Sequence, residues 1–229
     1  MAWPEDSVQS LVSPWWVAVD RARPSRGHLL WAWVPHFAST PYVLIPEGRG
    51  SPLEHKRVSL RIEALPITFH PQRIDPPVAA LPLDGGEVFT VLRATKRPVL
   101  VLNTPARART DVGLARSPHP PKFIVAPYHS AARNEAGEGT SEAMLARIRR
   151  CEYPEILWDK LPIVGEESSV LRLDGLLPLA DHHEAFDHTG YGLSPQALVV
   201  LDQWTQWFMS GQLPSDCELS QVRELLMSL

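Results

Sequence analysis

Arg97, in the corner Lys96-Arg97-Pro98, and His129 with Ser130, ending the run Lys122-Phe123-Ile124-Val125-Ala126-Pro127-Tyr128-His129-Ser130, are the residues whose types and setting point to chemistry. A guanidinium stays ionised and donates two hydrogen bonds from a rigid fork, which suits an anion. An imidazole, with an ordinary pKa of about 6.5, takes or gives a proton near neutrality. Simpler roles stay open: Arg97 as a corner residue paired with a carboxylate, and His129 as a turn histidine bonded to a backbone carbonyl.

A second constellation is Asp181-His182-His183 with Asp187-His188. Histidine and carboxylate at these separations can bind a divalent metal. No distant ligand demands to join them, so a polar loop before the last helix is the simpler reading. Cys151 and Cys217 have no metal-ligand spacing and read as free thiols. The sequence carries no Gly-rich phosphate loop, nucleophile elbow or dinucleotide fingerprint.

The elements that must position Arg97 and His129 are strands. Gly86 to Asn103 reads as two strands joined through the Lys-Arg-Pro corner, and Lys122 to Ser130 as a third. Upstream, His28–Val34 and Tyr42–Ile45 are buried-strand runs ended by prolines, and Lys56–Leu65 alternates as a half-exposed strand does. Pro66–Pro82 holds five prolines and reads as a linker, which divides the chain into a Trp-rich β extension, 1–82, and a second part, 83–229. The order glycine, strand, proline, strand occurs in both parts, so the first is either a degenerate repeat of the second or an unrelated pair of strands.

Two helices are marked. Glu142–Arg150 follows Ser141 as cap, and a longer helix begins at Ser194-Pro195 and stops at Gly211. The tail from Ser220 to Leu229 suits another turn or two of helix. Twenty-three prolines spread through 229 residues argue against a helical bundle and for many short strands, so the expected class is α+β, mainly β. Of eight tryptophans, Trp3, Trp15, Trp16, Trp31 and Trp33 crowd the first 33 residues; they either fill a core or form a base-stacking surface.

Four pieces in order resemble the MazF/PemK toxin family: Gly86-Glu87, Lys96-Arg97-Pro98 with Val99 to Asn103, Ala126-Pro127-Tyr128-His129-Ser130, and Val170 to Leu177 followed by Gly192-Leu193-Ser194-Pro195. The similarity covers about residues 83–210. It implies an SH3-like barrel with appended helices. It also implies metal-independent cleavage of single-stranded RNA to a 2′,3′-cyclic phosphate, without cofactor, by the toxin of a toxin–antitoxin pair. Arg97 matches the family's catalytic arginine at the scissile phosphate. His129 and Ser130 stand where the family usually has threonines, and Glu87 replaces its aspartate. Partners implied are RNA and an antitoxin, in a homodimer or, if the repeat is real, an internally duplicated monomer.

A net charge of −4 gives no global basic field, so RNA would need a local patch. Lys96, Arg107, Arg109, Arg147 and Arg150 are its candidates, with Arg116 and Arg149 nearby in sequence; each is otherwise a solvated surface residue. No apolar run is long enough for a membrane span and no signal-peptide plan opens the chain, so a cytoplasmic location is expected. Two rivals to the ribonuclease remain: a non-catalytic binding module of the same fold, as in the CcdB relatives, and a metal-dependent hydrolase built on the histidine loop.

Overall fold

Proline and glycine cut the chain into short extended pieces, and the computed structural model is mainly β with three α-helices among the described residues. It describes residues 7–10, 12–21, 23–37, 40–48, 53, 59–69, 87–103, 122–131, 140–164 and 168–228. The strands are β1 (Trp16–Ala18), β2 (His28–Pro35), β3 (Tyr42–Gly48), β4 (Ser59–Ala64), β5 (Phe89–Val91), β6 (Ala94–Val101), β7 (Lys122–Ser130), β8 (Ile156–Asp159), β9 (Ser169–Arg172), β10 (Leu177–Ala180) and β11 (Phe186–Leu193). The helices are α1 (Glu142–Arg149), α2 (Pro195–Ser210) and α3 (Glu218–Met227). The expected α+β class, mainly β, is what the chain adopts.

The chain forms two compact units, one of residues 1–33 and 96–229, the other of residues 34–95. In the larger unit the strand order is β1-β11-β2-β6-β7-β9-β8, with β10 also paired to β7. The smaller holds a three-stranded sheet, β4-β3-β5. Most of the Pro66–Pro82 linker, and with it the boundary after residue 82, lies outside the described residues.

The two strand-proline-strand segments divide differently between the two sheets. In the first, β2 belongs to the large sheet and β3 to the small one; in the second, β5 belongs to the small sheet and β6 to the large one.

Two prolines explain how β7 is shared. Leu102 N–H donates to Ile124 O, so even-numbered β7 residues direct their backbone groups at β6 and odd-numbered ones at the opposite edge. Pro127 therefore withholds an N–H from that opposite edge, and there the partner changes: β10 pairs with residues 122–125 and β9 with 128–130. Pro98 likewise has no N–H to give Tyr128, and the β6–β7 ladder stops at Val99, opposite Pro127.

One side of the large sheet carries the main core, where Leu29, Leu100, Tyr128, Leu157 and Leu171 meet Val200, Leu201 and Trp204 of α2. Ser194 caps α2 by accepting from Ala197 N–H, and Gly211 ends it at φ 71°, as the sequence predicts. On the other side α1 lays Met144, Leu145 and Ile148 over Ile156, Trp158 and Val170. The tryptophans mostly fill cores: Trp15, Trp158, Trp204 and Trp207 are buried, whereas Trp33 is 63% exposed. Trp3 lies outside the described residues.

The large sheet does not close into a barrel through backbone ladders among the described residues, because β1 and β8 remain its two ends. Side chains join those ends instead. Trp16 Nε1 of β1 donates to the carboxylate of Asp159 on β8 and to Lys160 O, both at 3.1 Å.

Candidate functional site

Strand alternation decides which candidates share a face. Val99 opposes Pro127 and Val101 opposes Val125. The ladder ends at Val99, and strand alternation beyond it puts Arg97 on the same side as His129, the α1 side of the sheet. His129 in turn opposes Val170 on β9, which opposes Trp158 on β8. Arg97 and His129 are each partly buried. No hydrogen bond or ion pair engages Arg97 among the described residues.

The bend after β9 adds a carboxylate. Leu173–Gly175 is a short 3-10 turn, and within it Asp174 is gripped from two sides by Arg172, whose Nε and Nη2 lie 2.7 and 2.5 Å from its oxygens. That bidentate pair holds the Asp174 carboxyl below the usual carboxylate range, and the charge of His129 adds a weaker pull in the same direction. Gly175 belongs here for steric reasons: a Cβ on it would come within 3.2 Å of the Pro127 ring. The result is a corner with one cation uncommitted among the described residues, one imidazole and one internally neutralised ion pair. It can accept a single anionic group and exchange a proton beside it.

The remaining expected residues are dispersed. Ser130 is exposed and, by alternation, faces away from His129. Lys96 also faces away from Arg97 and forms an ion pair with Asp187. Arg147 pairs with Glu152 at 2.6 Å and lies over the Tyr153 ring. Arg149 lies over Trp158, and Arg150 is an exposed residue at the C-terminal cap of α1. Gly86, Arg107, Arg109 and Arg116 lie outside the described residues.

The histidine loop does not converge on a metal. Asp181 pairs with Arg23 at 2.8 Å, Asp187 with Lys96, and His188 packs edge-on against Phe186. His182 and His183 lie 3.9 Å from Glu184 and are exposed. No group of three or more histidine, cysteine or acidic residues is arranged for a cation among the described residues.

Two polar arrangements have no signal in the sequence pattern. Ser25 Oγ lies 2.8 Å from His28 Nε2, a spacing a nucleophile and its base could have. The His28 Nδ1 atom, however, is buried with no partner, so nothing holds a proton on it and frees Nε2 to act as a base. Burial pushes the His28 pKa down, His188 adds to the fall, and Asp20 opposes it.

The other is Asp159. This carboxylate is fully buried and receives Tyr128 Oη at 2.7 Å, Trp16 Nε1 at 3.1 Å, Trp15 Nε1 at 3.4 Å and the Gln9 amide. Gln9 also accepts from Lys160 N–H at 3.0 Å. Burial pushes the carboxyl up to about 7, against the pull of those donors, and the Tyr128 hydroxyl is held well above its ordinary value by burial and the neighbouring carboxylate. Each of these donors is a protein group, and all but the half-buried Trp16 lie in the core, so this is an architectural joint.

Comparison with protein-family models, with curated proteins and with solved structures gives no match.

Proposed function

We propose that the β6–β7 corner is a metal-independent ribonuclease site acting on single-stranded RNA, the activity that the MazF/PemK resemblance implies. The observation that carries this reading is strand alternation from the β6–β7 register, which puts Arg97, without a hydrogen bond or ion pair among the described residues, on the same side of the sheet as His129. In this scheme Arg97 donates to the non-bridging oxygens of one phosphodiester and stabilises the charge that grows there. His129 takes the proton of the 2′-hydroxyl as its oxygen attacks phosphorus, the 5′-oxygen departs and is protonated by water, and a 2′,3′-cyclic phosphate remains. The scheme needs this corner alone and works on an open sheet as well as on the SH3-like barrel of the family. A toxin role with a protein antitoxin belongs to the same reading.

A second reading, a binding module without chemistry, is favoured by Asp174. Its negative charge is felt by His129 and would oppose an incoming phosphate there, although Arg172 grips that carboxylate from two sides. Incubating purified protein with long single-stranded RNA in the presence of a chelator separates the two. Cyclic-phosphate ends produced by the wild type and lost in Arg97→Ala and His129→Ala support the nuclease. Intact RNA with all three proteins overturns it.

A further inference from the structure

One face of the three-stranded sheet of the smaller unit is apolar throughout, while the other mixes Val43 and Ile45 with Thr90, Arg61 and Glu63. Tyr42 opposes Ala64 and Val91, Leu44 opposes Ile62 and Phe89, and Pro46 opposes Leu60, so all eight side chains share the apolar face. It is far from buried: Ile62 is 59% exposed, Leu60 48% and Tyr42 46%. The opposite face of β4 carries Arg61 and Glu63, which pair with each other, and Arg61 also reaches Glu47 at 2.8 Å.

β4 is an end strand of this sheet. Leu65 N–H donates to Pro41 O in the same register, so Arg61 and Glu63 direct their backbone groups at β3. Leu60, Ile62 and Ala64 therefore aim theirs outward, and these have no partner among the described residues. Such an edge is a template for another strand unless it is blocked by proline, a bulge or an inward charge. The sequence Ser59-Leu60-Arg61-Ile62-Glu63-Ala64 contains no proline, and its register shift falls at Pro46/Gly48 of the partner strand, beyond Leu60.

We propose that this edge associates with β4 of a second copy of the chain, antiparallel about a two-fold axis at Ile62. Self-complementarity selects that occupant. With Ile62 opposite Ile62 of the second copy, Arg61 falls opposite Glu63 and Glu63 opposite Arg61, so the oppositely charged pair on the other face forms twice. On the apolar face the larger Leu60 meets the smaller Ala64, and both copies' apolar faces become one surface. The outward backbone groups of Leu60, Ile62 and Ala64 then satisfy one another across the axis. A shift by one residue in either direction sets Arg61 opposite Arg61 or Glu63 opposite Glu63, so charge fixes the register as well as the partner. The contact is independent of the Arg97–His129 corner. A single strand pairing lies at the small end of specific interfaces, so a dissociation constant of about micromolar or weaker is expected.

Sedimentation equilibrium of the full chain across two decades of concentration tests this, with Arg61→Glu, Glu63→Arg, the double variant Arg61→Glu/Glu63→Arg, and Ile62→Lys. Each single charge reversal places like charges opposite each other twice and should weaken dimerisation about tenfold. The double variant restores opposite pairing and should recover it, and Ile62→Lys should abolish it while circular dichroism stays that of the wild type. A wild type monomeric at all concentrations overturns the proposal. So does equal dimerisation of every variant, or a double variant no better than the single ones.

Discussion

Trp16 and Asp159 belong to the first and last strands in the order of the large sheet, yet the indole Nε1 lies 3.1 Å from the carboxylate. The sheet coils until its ends approach, and where no backbone ladder joins them this side-chain pair does. Gln9, Trp15 and Tyr128 bring the amino-terminal segment and β7 to the same acid. Replacing the acid with alanine leaves several buried donors without an acceptor, which costs about 3–5 kcal/mol. Asp159→Ala should therefore unfold at far lower denaturant than the wild type. Trp16→Phe keeps an aromatic ring but removes the one donor shared by Asp159 and Lys160 O, a loss of about 1 kcal/mol. Equal midpoints for Asp159→Ala and the wild type in urea would remove Asp159 from its role as joint.

The same acid gives stability a pH dependence. Its folded pKa, about 7, lies above the ordinary 3.8, so the folded chain holds this proton more tightly than the unfolded one. The contribution is present in full below the ordinary carboxylate range and is lost as pH rises through about 7. Asp174 works in the opposite sense: its lowered pKa stabilises the fold above the ordinary range and is lost under acid. Comparing wild type with Asp159→Asn isolates the first effect. Between pH 5 and pH 8 the stability of the wild type should fall relative to that of the variant. Parallel profiles would show that Asp159 is ionised at pH 5 as well as at pH 8.

If a phosphate binds at Arg97, salt dependence should report it. Each lost contact to a single strand lowers the slope of log K against log salt by about 0.7, so Arg97→Ala should flatten the slope by that amount. Asp174→Asn does the reverse, because it releases the Arg172 fork toward the same anion. The variant should bind RNA more tightly and with a steeper slope. Filter binding at several salt concentrations measures both, and a slope unmoved by Arg97→Ala would place the phosphate path elsewhere.

Local signals were legible wherever chemistry and structure meet within a few residues. Ser194, Pro195 and Gly211 bound α2, Ser141 caps α1, and β2, β3, β6 and β7 follow apolar runs. By contrast, β11, with sequence Phe186-Asp187-His188-Thr189-Gly190-Tyr191-Gly192-Leu193, reads as a polar loop because two glycines and an Asp-His pair hide its alternation. It becomes a strand through pairing with β1 and β2 at sequence distances no window spans. Asp159 was illegible for the same reason: its donors Gln9, Trp15 and Trp16 lie more than a hundred residues upstream. The corner was half legible. The types of Arg97 and His129 drew attention to them, but only alternation separates them from Lys96 and Ser130, and only the bend after β9 brings in Asp174.

Two glycines in left-handed conformations should respond unequally to alanine. Gly211 ends α2 at φ 71°, and a Cβ there meets nothing within 4 Å, so only the backbone penalty of about 1 kcal/mol applies. Gly27, at φ 85°, lies where β2 begins beneath α2. Its N–H donates to Val101 O at 2.7 Å and its carbonyl accepts from Leu193 N–H at 2.9 Å, so the backbone cannot turn to relieve strain. A Cβ would stand 2.8 Å from Leu198 Cδ2 and 3.5 Å from Leu193 Cβ, so the Leu198 side chain must change rotamer or α2 must shift. Overpacking adds about 1–3 kcal/mol to the backbone penalty. Thermal denaturation should rank the two clearly, with Gly27→Ala melting well below Gly211→Ala; the reverse order would mean that Leu198 moves aside freely and that the contact of α2 with the start of β2 is loose.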